Sequence, residues 1–127
     1  MRGPIAYGLA WPQRIRSGAA ALDFRKLPAM TFESTEAHDH PRRFPGLKLA
    51  WSALRATPGT CVVLNAANEV AVAAFLERRL RFDQIHQVNE ATLAEVSIVR
   101  PDSLSDLLAL DALSRAAAAS RVQTLSR

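Results

Sequence analysis

The sequence predicts a mainly α protein: a C-terminal four-helix bundle preceded by a short α/β stretch of one helix and two short strands. Three observations predict it. Leu64–Leu76 (LNAANEVAVAAFL) opens polar and then runs apolar without a break from Val70, enough to grease every side of a helix. A helix apolar all round is normally covered by neighbours on every flank. From Pro45 onward, apolar residues recur at three- and four-residue spacing between Pro and Gly breaks. Ahead of that point the pattern changes to short period-two runs.

The elements follow in chain order. Gly3-Pro4 opens a helical stretch, with Pro4 suited to a first turn, and Pro12 ends it at Trp11 by disfavouring helical geometry in the residue before it. Leu22-Asp23-Phe24 and Ala29-Met30-Thr31-Phe32-Glu33 alternate as strands do. Two short strands without a third make no stable sheet, so their sheet is expected elsewhere. Ser34–Arg43 (STEAHDHPRR) is polar and aperiodic, an exposed linker. Pro45 starts a helix whose Leu47, Ala50, Trp51 and Leu54 form one inward stripe, and Pro58-Gly59 stops it. The central helix is expected from about Val63 to Leu80, with Asn65 accepting first-turn N–H groups as its cap and Glu69 placed near the positive end of its dipole. Asp83 is positioned to cap a third helix that buries Phe82, Ile85, Val88, Thr92 or Leu93, and Val96. After the Arg100-Pro101-Asp102 break, a fourth helix begins near Ser103 with Leu104, Leu107 and Leu108 inward. Asp111 interrupts that stripe, which predicts a kink or a new cap before Leu113, Ala117, Val122 and Leu125. Short connections make neighbouring helices antiparallel, up and down.

Composition narrows the function classes. With 127 residues, 49% of them hydrophobic, the chain has the makings of a globular domain. No apolar run approaches the ~20 residues needed to cross a bilayer, which argues against a membrane protein. Ile5–Trp11 is too short, and lacks the small-residue cleavage site, for a signal peptide. A single Cys61 excludes an internal disulfide and fits a reducing, cytoplasmic setting. Net charge is +4, but the arginines are scattered and the aromatics sit at core spacings. Nucleic-acid surfaces concentrate charge on one face and interleave aromatics, so a solvated basic surface is the reading preferred over a stand-alone helical or nucleic-acid-binding module.

Little chemistry is visible. The five glycines match neither a dinucleotide fingerprint nor a phosphate loop. His38-Asp39-His40 invites a metal reading, yet His86 is the only other histidine and a zinc site wants three or four ligands. Glu33, Glu36 and Asp39 crowd a linker that holds no acid and base in fixed relation, and Cys61 has no basic partner nearby in sequence. No catalytic, cofactor-binding or metal-ligating residue is assigned. Asn65, Asn68 and Glu69 are the most site-like group, and helix capping with one buried polar network accounts for all three.

Met1-Arg2-Gly3-Pro4-Ile5-Ala6-Tyr7, Leu9-Ala10-Trp11-Pro12, Leu22-Asp23-Phe24, Phe44-Pro45-Gly46-Leu47-Lys48-Leu49-Ala50 and Leu64–Leu76 occur in this order and spacing. Together they resemble the C-terminal third of the 1-deoxy-D-xylulose 5-phosphate reductoisomerase family, over essentially the whole chain. The segment between Phe32 and Phe44 is longer than the family's usual linker, and Gly3 stands where Thr is common. The resemblance implies a division into residues 1–33 as the tail of a catalytic α/β domain, 34–43 as linker and 44–127 as the four-helix bundle. It implies a parent enzyme, a homodimer like others of the family, that converts 1-deoxy-D-xylulose 5-phosphate to 2-C-methyl-D-erythritol 4-phosphate with NADPH and Mn²⁺, Mg²⁺ or Co²⁺. The parent's N-terminal Rossmann and catalytic domains, with their metal and phosphate ligands, would lie upstream of these residues. Met1 aligns with a methionine near the nicotinamide, without a binding role being assigned to it. The chain alone is then expected to be inert and to bind neither cofactor nor metal, with Trp11, Phe24 and Phe32 facing solvent.

Overall fold

The computed structural model describes residues 2–36 and 39–126. They fall into two compact units, Met1–Glu33 and Ser34–Arg127. In the first, α1 (Arg2–Ala10) buries none of its residues. Asp23 then caps a single 3₁₀ turn, Phe24–Lys26, by accepting the Arg25 N–H at 3.1 Å. The Arg25 guanidinium also donates to Asp23, which holds that carboxyl below its usual range.

The two expected strands do not form, and no β-strand occurs among the described residues. Leu22-Asp23-Phe24 runs into the 3₁₀ turn, and Ala29–Glu33 has no regular structure. A strand exists only as part of a ladder, and alternation in sequence cannot supply the partner. Trp11, Phe24 and Phe32 are all exposed.

The second unit is helical throughout: α2 (His40–Arg43), α3 (Pro45–Arg55), α4 (Thr60–Leu76), α5 (Phe82–Glu95) and α6 (Leu104–Leu125). The polar segment expected as linker therefore ends in a helical turn, with Arg42 donating to Asp39 at 2.6 Å. Helices α4, α5 and α6 pack pairwise against one another. Helix α3 lies on α4 and touches α5, but makes no contact with α6 among the described residues.

The core is built on small residues. Ala67, Ala71 and Ala74 of α4 are fully buried against Val88 of α5 and Ala118 and Val122 of α6. Residues with a single methyl let backbones approach closely, and close packing makes every methylene count. A second cluster joins Val63, Val96 and Leu110, with Leu93, Ile98 and Ala117 at its edge.

Several expectations are corrected here. Helix α4 is not covered all round: it buries one broad face and leaves Leu76 72% exposed. It also starts earlier and stops sooner than Val63–Leu80. Gly59 caps its start at φ 101, and an added Cβ there would meet Leu110 Cδ2 at 3.0 Å and Pro101 Cδ at 3.1 Å. Its end is a Schellman turn: Arg79 N–H donates to Ala74 O at 2.8 Å and Arg78 N–H to Phe75 O at 2.9 Å, with Arg78 in the left-handed region at φ 61. Leu80 is buried beyond this turn, not within the helix.

The α3 stripe points outward. Leu47, Ala50, Trp51 and Leu54 are exposed, and Ala53 is the buried residue of that helix. In α5, Phe82 is 75% exposed while Val88, Thr92 and Val96 are buried as expected. Arg81, not Asp83, precedes the helix; because arginine has no acceptor, only half a capping box forms, with Gln84 Oε1 accepting the Arg81 N–H at 2.7 Å.

Helix α6 runs unbroken through Asp111, without kink or cap. Its buried line is Leu110, Ser114, Ala118 and Val122, whereas Leu104, Leu108 and Leu113 are exposed. Ser114 hides this line from a hydrophobicity pattern. Its buried hydroxyl is satisfied inside the helix by donating to Leu110 O at 2.6 Å. Helix α6 does begin beside Ser103, which caps it: its hydroxyl accepts the Asp106 N–H at 3.1 Å, and Asp106 accepts the Ser103 N–H at 3.0 Å.

Candidate functional site

Asn65, Asn68 and Glu69 all lie inside α4, past its first turn, so Asn65 is not the helix cap. The early start of the helix at Thr60 removes that role, because the orphan N–H groups a cap would satisfy lie further up the chain. Asn65 instead donates to Glu69 Oε1 at 3.2 Å, one turn along.

The three residues divide between two networks. On the α6 side, Arg115 donates to Glu69 Oε2 at 2.7 Å and to Asp111 Oδ2 at 2.7 Å. Asp111, which the sequence marked as an interruption, is thus one arm of a clamp joining α4 to α6. The Arg115 guanidinium, helped by Asn65, holds the Glu69 carboxyl below its usual range. The two carboxylates in turn raise the pKa of Arg115 above that of an ordinary arginine. These groups are solvent-accessible, so the clamp positions helices more than it supplies stability.

On the α5 side, Asn89 Nδ2 donates to Asn68 Oδ1 at 3.1 Å. Asn89 is only 7% exposed, and its Oδ1 has no hydrogen-bond partner among the described residues. The pair borders a cavity of about 550 Å³ between the start of α3 and the first turns of α5, walled by Phe44, Leu47, Phe82 and Ile85. His86 also lines it, with Nε2 3.5 Å from Glu90 and a buried Nδ1 that has no partner among the described residues.

Asn89, Arg115 and Gln84 were not legible as partners in the sequence. Gln84 is buried and donates to Leu125 O at 3.2 Å, across 41 positions. Pairing over such separations leaves no periodic trace.

Other candidates come to rest apart from these networks. Cys61 is exposed. His40 stacks near Phe44 with ring centroids 4.9 Å apart, while His38 and Met1 lie outside the described residues. Among the described residues, no group of three or more His, Cys, Asp or Glu is placed to hold a metal ion. Arginines 25, 42, 79, 81, 100, 115 and 121 each lie beside a carboxylate. No described helix is long and apolar enough to cross a membrane.

What this geometry defines is a helix-packing domain, whose polar residues tie α4 to its neighbours. The family model described as the DXP reductoisomerase C-terminal domain matches residues 1–117, and the chain belongs to that family. It is 53% identical over 115 residues to the 1-deoxy-D-xylulose 5-phosphate reductoisomerase of Ralstonia pickettii, covering 91% of this chain and 28% of that protein. With the reductoisomerase of Nitrosococcus oceani, identity is 47% over 124 residues, 97% of this chain and 30% of that one.

Among solved structures, the Zymomonas mobilis reductoisomerase in complex with NADPH is 40% identical, with a TM-score of 0.73 over 95% of this chain and 31% of its own. A DOX-P reductoisomerase in complex with NADPH, fosmidomycin and magnesium is 32% identical, with a TM-score of 0.75 over 99% of this chain and 32% of its own. The chain therefore spans under a third of the length of these relatives.

Proposed function

We propose that the chain acts as the C-terminal helical domain of a 1-deoxy-D-xylulose 5-phosphate reductoisomerase, an oxidoreductase and isomerase of non-mevalonate isoprenoid synthesis. The enzyme would convert 1-deoxy-D-xylulose 5-phosphate to 2-C-methyl-D-erythritol 4-phosphate with NADPH and a divalent metal, Mn²⁺, Mg²⁺ or Co²⁺. The observation that carries this reading is the family match over residues 1–117. In this reading residues 1–33 are the tail of the catalytic domain, 34–43 the linker and 44–127 the four-helix bundle of a cytoplasmic homodimer.

The cofactor and the metal belong to upstream Rossmann and catalytic domains. Asn65, Asn68 and Glu69 then serve structure, fixing α4 against α6 and α5 through Arg115 and Asn89.

The test is turnover. The 127-residue chain should not oxidise NADPH in the presence of the sugar phosphate and Mg²⁺ or Mn²⁺. Fused behind the upstream portion of the Ralstonia pickettii relative, in place of that protein's own C-terminal stretch, it should complete an active enzyme. Metal-dependent turnover by the chain alone would remove the claim of inertness, and a folded but inactive fusion would count against the enzymatic reading.

A further inference from the structure

We draw no further inference here: the strongest candidate, the cavity between the start of α3 and the first turns of α5 together with the exposed apolar face of α3 beside it, is an unpartnered surface, and nothing in the structure shows what covers it.

Discussion

Helices α3 and α4 sit side by side and use apolar residues in opposite ways. Helix α3 carries Leu47, Trp51 and Leu54 and keeps them outside; α4 packs through Ala67, Ala71 and Ala74, which are fully buried. The difference shows that side-chain size and helical spacing mark a face that needs a partner, without saying whether that partner belongs to the same packing unit. Small residues carry the other half of the information, because only they let two backbones come close.

The strongest way to break this contrast is to overfill the alanine seam. Ala71→Leu should destabilise the chain by ~3 kcal/mol, the upper part of the usual range for overpacking, as read from urea melts. A change below about 1 kcal/mol would mean that α4 can move away from α5 and α6.

Gly59→Ala should follow at ~2 kcal/mol, since it places a Cβ on a left-handed residue and against Leu110 and Pro101. Thermal melting of that variant tests whether the α3–α4 turn is as tightly held as the seam. Trp51→Ser sharpens the comparison from the other side. Its stability effect should stay below that of Gly59→Ala, at ~1 kcal/mol, because about half of this side chain's surface is already in water.

The smallest effect is expected from the clamp and is visible only as a pH dependence. Glu69 has a folded-state pKa lowered from its ordinary 4.5, chiefly by hydrogen bonding from Arg115. Such a group stabilises the fold above its unfolded pKa and loses that contribution as pH falls through the lower folded value. The melting difference between wild type and Glu69→Gln should therefore be present at neutral pH and shrink as pH drops below 4.5. A pH-independent difference would show that the interaction with Arg115 is not electrostatic.

Some helix starts were legible in the sequence, although the bounds of α4 were not. Pro45 does begin α3, and α6 does begin beside Ser103, because proline and serine act on the backbone within a turn of themselves. Inward faces were less legible. Leu104 and Leu108 look like core and are exposed, while Ser114 looks like surface and is fully buried. A hydroxyl that bonds to its own helix can enter a core at little cost, which defeats a rule based on polarity.

The polar group of α4 was recognised by residue type but misread in role. Asn65 resembles a cap only if α4 starts near it, and the true start is set by Gly59, whose left-handed geometry a sequence reading does not see. Asn68 and Asn89 meet across a helix pair, and the contact that makes Asn89 distinctive depends on tertiary packing.

The two most deeply placed hydroxyls offer an engineering handle. Thr92 donates to Val88 O at 2.8 Å and Ser114 to Leu110 O at 2.6 Å, so each returns its hydrogen bond to its own helix and owes nothing to another element. A designer could replace them with Val and Ala of nearly matched shape without orphaning any polar group on a neighbouring helix. The domain thus contains two positions at which a buried hydroxyl can give way to hydrocarbon while its topology is left untouched.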